Sequence, residues 1–530
     1  MQSKLNQIPS PKRSSFVVAG AVLLAGLCLS LLDKSSNWLA GWIAYSLLLT
    51  FAAFALLYAQ RGLKTSSLAS KTALGAFLIR LGVGVALFLL LPVAGHQTSE
   101  VSLAGYVFKD AQIRDLQAWR LASSPDSLLS AFSGTYSGDQ YGGMLALSAA
   151  IYRYLSPDSH RTVLVLILTA LASGLGVLFL WKATQAWFNE KVANLAALIF
   201  AFYPESILLG SSQMREAFVI SSVALAFYGL LRVTRERKDG WAWLGLALLF
   251  LLTFHPPSAL TTFVVIFGLW LLERRGRLSW KTVGIFAGIM ILALVIVISV
   301  WSSLPSLEGS NPVNIFFTWL GNNFSFQSHQ LERGSGWIQK LSRQVVEQLW
   351  PVVVVSYGLT RPVLPAAIFD PAPAIWVIIN VLRAAGWYAL APALLFSLFA
   401  SLKANQEARR GQLVWLSLVI WVWIIIASAN AGGDQWDNPR YRAIFLTWQA
   451  LVAGWAIWWA NANRNPWLKR LFVVEGIFLL LLSYWYATRT FHIGEVYNIW
   501  PVIALTVIIA VIVVVANLII DRKKRSGRLP

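Results

Sequence analysis

Residues 161–181 read RTVLVLILTALASGLGVLFLW. After the leading arginine the run carries no charge, and as a helix rising about 1.5 Å per residue it covers roughly 30 Å, the depth of a bilayer's hydrocarbon core. Comparable runs recur near 15–32, 37–59, 73–95, 192–210, 214–232, 241–255, 257–273, 282–301, 384–401, 412–430, 443–461, 471–487 and 500–520, so that about 14 spans are expected in all. Composition agrees: 57% of the 530 residues are hydrophobic and 12% charged, with a mean hydropathy of +0.63, far above a soluble globular domain. Alternating apolar and polar patterning is absent. The expected fold class is therefore an all-α polytopic membrane protein, not a transmembrane barrel.

The net charge is +20, from 43 Lys and Arg against 23 Asp and Glu. These basic residues are scattered between apolar runs and form no nucleic-acid-binding stripe, so nucleic acid is not an expected partner. Excess Lys and Arg in cytoplasmic loops explains them better. With a cytoplasmic N-terminus, the inward segments (among them Arg61/Lys64/Lys71, Lys182/Lys191, Arg235/Arg237/Lys238 and Lys403/Arg409/Arg410) hold roughly 27 of the basic residues, as that bias predicts. Both termini are then cytoplasmic, the cell membrane is the expected location, and the first run reads as a retained signal anchor behind Lys4, Lys12 and Arg13. The lone Cys28 has no partner for an intrachain disulfide.

This orientation leaves two long segments outside, 96–160 and 302–383, each too long for a simple turn. The first contains GYVFKDAQIRDLQAWRLA (105–122), with Asp110 and Asp115, and then GTYSGDQYGGMLALSAAIYRYL (134–155), with Asp139, where small and apolar residues mixed with Tyr141, Tyr152 and Tyr154 suggest a helix lying at the membrane interface. The second is rich in Trp, Asn, Gln and Ser. A short third loop, GGDQWDNPRYR (432–442), packs Asp437, Arg440, Tyr441 and Arg442 between two apolar spans. A polar turn with snorkelling arginines would account for it, but arginines in a short external loop oppose the charge bias. In FYPESILLGSSQMREAFVISS (202–222), Pro204 interrupts one run and Arg215–Glu216 opens the next, either as a helix-start pair or as part of an external rim. His255 in TFHPPSAL is either a helix-end residue or a cavity group.

No Walker loop, GxGxxG unit, GxSxG elbow or zinc-type ligand spacing occurs. Nucleotide-driven transport and serine hydrolysis thus have no sequence support. What remains is external carboxylates and external arginines on a lipid-embedded body. A guanidinium fork matches phosphate oxygens, and a carboxylate can take the proton of an attacking hydroxyl or amine. Together they suit transfer from a lipid phosphate.

On these landmarks the chain resembles the GT-C superfamily of polyprenyl-phosphate-dependent glycosyltransferases, in particular the protein O-mannosyltransferase and lipid A aminoarabinose transferase branch. The landmarks, in order, are Asp115 with Trp119 and Ala122 in the first large external loop; Pro204, Ser211, Ser212 and Glu216 between two spans; and the late Arg440-Tyr441-Arg442. The resemblance implies a catalytic base at Asp115 with Asp110 as a second acid, donor phosphate held by Arg440, Tyr441 and Arg442, and cavity positions at Asp139, Arg215, Glu216, His255 and Asp437. Arg114-Asp115-Leu116 stands where the family has adjacent Asp-Glu, and Gly138-Asp139-Gln140-Tyr141 replaces its His-Pro-Pro-like segment, which makes Asp139 another candidate base.

The implied activity is inverting transfer of a sugar from a polyprenyl-phosphate donor to a lipid, glycan or protein acceptor at the outer membrane face. No cofactor is required by the motifs, although Mg²⁺ or Mn²⁺ is compatible with acids beside a phosphate. The domain reading is a two-helix addition at 1–72, a GT-C-like core at 73–301, an external loop region at 302–383, and C-terminal helices at 384–530. A flippase or transporter of lipid-linked saccharides, or an oligosaccharide polymerase or ligase, is the alternative. A transporter would place charges inside spans, where only Arg80 clearly lies.

Overall fold

The computed structural model describes residues 13–33, 35–136, 138–274, 349–404, 408–491 and 499–525, together with isolated positions 284, 288, 326, 327, 330 and 346. Among the described residues every regular element is helical. In order they are α1 (Arg13–Leu32), α2 (Trp38–Leu63), α3 (Ser67–Ala94), α4 (Glu100–Leu103), α5 (Lys109–Ala122), α6 (Gly143–Leu155), α7 (Val163–Trp187), α8 (Glu190–Phe202), α9 (Pro204–Gly210), α10 (Glu216–Thr234), α11 (Asp239–Phe254) and α12 (Pro256–Glu273). They continue with α13 (Trp350–Thr360), α14 (Leu364–Phe369), α15 (Ala374–Lys403), α16 (Arg410–Ala431), α17 (Asp437–Ala443), α18 (Leu446–Ala462), α19 (Trp467–Phe491) and α20 (Ile499–Arg525). A chain this apolar can satisfy its backbone in lipid only by hydrogen bonding within each segment, which a helix does and an open sheet does not.

Nine of the described helices are long and apolar enough to cross a membrane, or up to eleven if each of two bent pairs counts as one span. The chain is thus a multi-pass membrane protein, and the expected count of about 14 is not reached among these residues. The expected span at 282–301 lies outside them apart from positions 284 and 288, as does 302–348 of the second long segment apart from four positions. The span expected at 384–401 begins at Ala374, and 350–369, expected as external loop, forms α13 and α14. The 15–32 run forms α1, a helix of 20 residues, and the 241–255 run forms α11, which at 16 residues falls short of the full span length.

The centre of the bundle is the run that opened the sequence. α7 packs against α2, α3, α8 and α10, and 83% of its apolar window is buried. Small residues on α7 permit this: a Cβ on Gly176 would meet Ser221 Oγ of α10 at 2.7 Å and the Phe200 ring of α8 at 2.9 Å. At the far edge α20 buries none of its window, so its apolar side chains are left for lipid.

The 192–210 run is broken. α8 and α9 meet at 55°, because Pro204 has no N–H to donate and its ring blocks continuation of the preceding helix. The break frees carbonyls, and the in-span Arg80 takes them. Its guanidinium donates to Ala201 O (2.8 Å), Phe200 O (3.4 Å), Ala76 O (3.1 Å) and Ser206 Oγ (2.7 Å). Arg80 therefore caps a broken helix instead of lining a transport path. The second break separates α17 from α18 by 72° and raises the RYR segment out of the 443–461 span into a short helix of its own.

Candidate functional site

One face of α5 buries Ala111, Arg114, Asp115, Ala118 and Leu121, the spacing of three and four residues that marks a packed helical stripe. Asp115 lies on it. Its carboxylate accepts from Tyr106 Oη at 2.6 Å and from Tyr152 Oη, and it faces His160 Nε2 at 2.8 Å. Burial, reinforced by the Asp115 charge, pushes both phenols well above their ordinary range, so both are protonated donors. The Trp119 ring stacks on His160, centroids 5.3 Å apart, and meets Tyr152 edge-on. Asp115 is enclosed on every side and does not line the cavity described below. The contacts of Asp115, the expected base, join α5, α6 and the turn before α7. His160, Tyr106 and Tyr152 are its partners, and neither a motif nor their spacing had marked them.

Asp110 lies in the first turn of the same helix, off the buried stripe, where a carboxylate is favoured by the helix dipole. Its side chain is 55% exposed. Asp110 Oδ2 accepts from an Arg440 terminal nitrogen at 3.1 Å, which also faces Asp437 Oδ1 at 3.2 Å, while Arg440 Nε contacts Glu216 Oε1 at 2.8 Å. Asp110, Glu216, Asp437 and Arg440, four residues from three distant parts of the chain, therefore converge. Tyr441 donates to Asp437 Oδ2 at 3.4 Å.

Arg442 points the other way. Fully buried, it lies 3.7 Å over the Trp387 ring and donates to the carbonyls of Gly358, Leu359 and Arg361. It pins the α13–α14 connection and is not among the residues that line the cavity described below, so the structure does not bring it together with Arg440 there. Asp139 is also spoken for. One oxygen accepts from the Met144 and Leu145 backbone N–H groups at 3.0 and 3.1 Å, capping the start of α6. The other faces Arg215 at 3.3 Å and Arg114 at 3.8 Å, and Arg215 in turn lies over Tyr141. Arg114 and Arg215 form a positive layer behind Glu216.

His255 caps α12: its Nδ1 accepts from Ser258 N (3.2 Å) and contacts Ser258 Oγ (2.7 Å). Its ring meets Tyr141 edge-on. Burial, and after it the Arg215 charge, pushes this imidazole down to about 3. It is neutral at physiological pH and serves as a cap.

The Asp110–Arg440 pair opens onto a cavity of about 1130 Å³, at or above the upper end of ordinary small-molecule sites. Its lining includes two charged groups, Asp110, Asp434, Asp437 and Arg440 in one and Arg361, Asp370 and Arg489 in the other. An aromatic row also lines it: Phe108 meets Trp436 edge-on at 5.8 Å, Trp436 meets Trp376 edge-on at 5.3 Å, and Trp376 stacks on His96 at 5.6 Å. Trp436 is held from behind by Arg383, 4.3 Å over its ring. Arg383 forms a buried two-pronged pair with Glu205, at 2.6 and 3.1 Å. That pair requires α15 to run close to α9, and Gly386 allows it, since a Cβ there would sit 2.5 Å from Pro204 Cδ.

Among the described residues no group of three or more His, Cys, Asp or Glu side chains is placed to share a metal ion. The cavity's clustered carboxylates are instead gathered around one guanidinium. The chemistry below uses only the side chains present.

Residues 144–302 match the family model described as dolichyl-phosphate-mannose-protein mannosyltransferase. The match includes Glu205, Arg215, Glu216 and His255, and it supports the GT-C resemblance carried by the loop residues. No curated protein matches. Among solved structures the chain is similar to the archaeal oligosaccharyltransferase AglB from Archaeoglobus fulgidus, in complex with an inhibitory peptide and a dolichol-phosphate, at 14% identity and a TM-score of 0.34, over 84% of this chain and 55% of that one. The chain thus spans about half the length of that structure.

Proposed function

We propose that this chain is a membrane glycosyltransferase of GT-C type, moving a sugar from a polyprenyl-phosphate carrier to a hydroxyl or amine of a lipid, glycan or protein acceptor. The observation that carries the reading is a part-exposed carboxylate, Asp110, at the mouth of a large cavity and tied through Arg440 to the buried Glu216. Its ion pair with Arg440 fixes its direction. The match of 144–302 to a mannosyltransferase family supports the same substrate class.

In the reaction, Asp110 takes the proton of the acceptor hydroxyl as its oxygen attacks the anomeric carbon. The bond from that carbon to the phosphate oxygen breaks, and its electron pair leaves with the lipid phosphate. A single displacement of this kind inverts the anomeric centre. Glu216 and Asp437 hold Arg440, and Arg440 holds Asp110. Asp115 acts at a remove, by fixing the helix that carries Asp110. A cell-membrane location with both termini cytoplasmic fits the placement of basic loops away from the cavity.

The test is transfer of labelled sugar from a polyprenyl-phosphate donor by the full chain in detergent. Wild type is expected to transfer, and Asp110→Asn to lose roughly 10²–10⁴-fold in kcat, the usual contribution of a positioned acid or base. An Asp110→Asn protein that transfers at the wild-type rate would sink the assignment.

A further inference from the structure

The two arginine groups that line the cavity differ in their partners. Arg440 faces three carboxylates, Glu216, Asp110 and Asp437, at 2.8, 3.1 and 3.2 Å. An incoming phosphate would have to displace a carboxylate and then sit beside the others. The Arg361 group is the reverse. Arg361 is only 8% exposed, its Nε has no hydrogen-bond partner, and no carboxylate of a described residue pairs with it within 4 Å. Its backbone is fixed on both sides, the N–H donating to Gly358 O at 3.2 Å and the carbonyl accepting from Arg442. Its guanidinium lies 4.6 Å over the Tyr357 ring. Arg489, in the last turn of α19, joins it on the cavity wall with its guanidinium 5.9 Å over Trp485.

A buried guanidinium nitrogen with no hydrogen-bond partner is costly, and a phosphate oxygen is the partner its planar fork fits. We propose that Arg361 and Arg489 form a phosphate-binding end of the cavity, which takes the phosphate of the lipid carrier in place of the RYR segment. The inference rests on the glycosyltransferase reading for the source of the phosphate and on the unpaired guanidinium for the site itself. Asp370, on the same wall, tunes the charge. Burial pushes its carboxyl up, while Arg489 and Arg361 act the other way, so the end carries one net positive charge with Asp370 ionised and two with it protonated.

This assignment gives the cavity a direction. The phosphate sits with Arg361 and Arg489, the base Asp110 belongs to the Arg440 group of the same cavity, and the sugar lies along Trp376 and Trp436, which line it too. As the bond to the anomeric carbon breaks, the electron pair goes to a phosphate oxygen and its growing charge is met by two guanidinium groups. α19 buries only 22% of its apolar window and so borders lipid, which places Arg489 where a carrier would enter from the bilayer.

Binding of a polyprenyl monophosphate to the full chain in detergent tests the proposal, with inorganic phosphate and a uridine diphosphate sugar as competitors. Wild type is expected to bind the lipid. Arg489→Gln and Arg361→Gln are each expected to weaken it roughly 10–100-fold, the effect of losing a charged hydrogen bond, while Arg361→Lys keeps part of the affinity. Arg489 ends a half-buried helix turn, so its variant remains informative where an Arg361 variant fails to fold. If both glutamine variants bind like wild type and Arg440→Gln does not, the phosphate belongs to Arg440 and this proposal falls, with the glycosyltransferase reading intact. If wild type ignores the lipid but binds inorganic phosphate or the nucleotide sugar in an Arg489-dependent way, the anion site stands and the lipid-linked donor falls.

Discussion

Replacing a carboxylate by its amide keeps its shape and removes its charge, and at two positions on α5 that change should have opposite signatures. Asp110 is solvated and bonded to one guanidinium, so Asp110→Asn should leave the melting temperature within a degree or two while activity collapses. Asp115 is buried and accepts from two tyrosines. Asp115→Asn turns an acceptor into a group with two donors facing phenols, which should cost about 1–3 kcal/mol and lower the melting temperature by several degrees, with a loss of kcat much smaller than at Asp110. Thermal unfolding followed in detergent beside a transfer assay separates the two. A deep loss of kcat at Asp115 without a loss of stability would return the base to that position. His255 offers a pH test. Its folded-state value lies far below that of a free imidazole, so the unfolded chain binds the extra proton between about pH 6.5 and 3 and stability falls as pH drops through that window. Wild type should therefore lose more melting temperature between pH 7 and 4.5 than His255→Asn, which keeps a capping acceptor. Equal losses would show that His255 is not buried neutral. The sequence held the information that distinguishes the two aspartates: Ala111, Asp115 and Ala118 recur at helical spacing and Asp110 does not. What it did not hold was the partner set, since Tyr106, Tyr152 and His160 reach Asp115 only through the fold.

The breaks in two helices do more for the site than the helices themselves. Pro204 made the first break legible, and Arg80 looked like a stray charge until the freed carbonyls of α8 gave it partners. The second, at 444–445, has no proline at the bend, and the RYR segment read as a loop. Its short helix places Arg440 toward the cavity and Arg442 toward Trp387, a divergence that follows from the 100° step per residue of a helix and not from a loop. The first break also places Glu205 at the start of α9, opposite Arg383 of α15. Removing one partner of a buried pair strands the other, at a cost of about 3–5 kcal/mol, whereas removing both is far milder. Arg383→Met should accordingly be severely destabilised and lose activity as Trp436 loses its support. Adding Glu205→Gln should recover a large part of the stability but not the Trp436 contact. The double-mutant cycle by thermal unfolding measures this, and additive losses would mean that the pair is not coupled.

The two ends of α7 divide the protein electrostatically. At its N-terminal end Arg161 pairs with Asp158 and reaches Asp33 and Asn37 of the α1–α2 turn, and Gln213 donates to Thr162 O; the acids and the cavity lie at this end. At its C-terminal end Arg235 donates to Ala186 O and Arg409 to Trp187 O, with Glu273 alongside. The loops that composition had marked as inward therefore gather at one end, far from the cavity, as a charge bias across a membrane requires. Hydropathy located most spans for the same reason, since lipid imposes one length and one polarity on each. It could not show which spans meet, because the faces of α7 and α10 are apolar all round and carry no stripe. The orientation can be checked with the single native cysteine removed, using Cys28→Ser as the background. Ser123→Cys follows α5 at the cavity end and Arg237→Cys lies in the α10–α11 turn at the other end, and both positions are exposed. A membrane-impermeant maleimide added to intact cells should label Ser123→Cys and leave Arg237→Cys unlabelled until the membrane is opened. The reverse pattern would put the cavity on the cytoplasmic side, where the carrier's sugar would have to be presented from within.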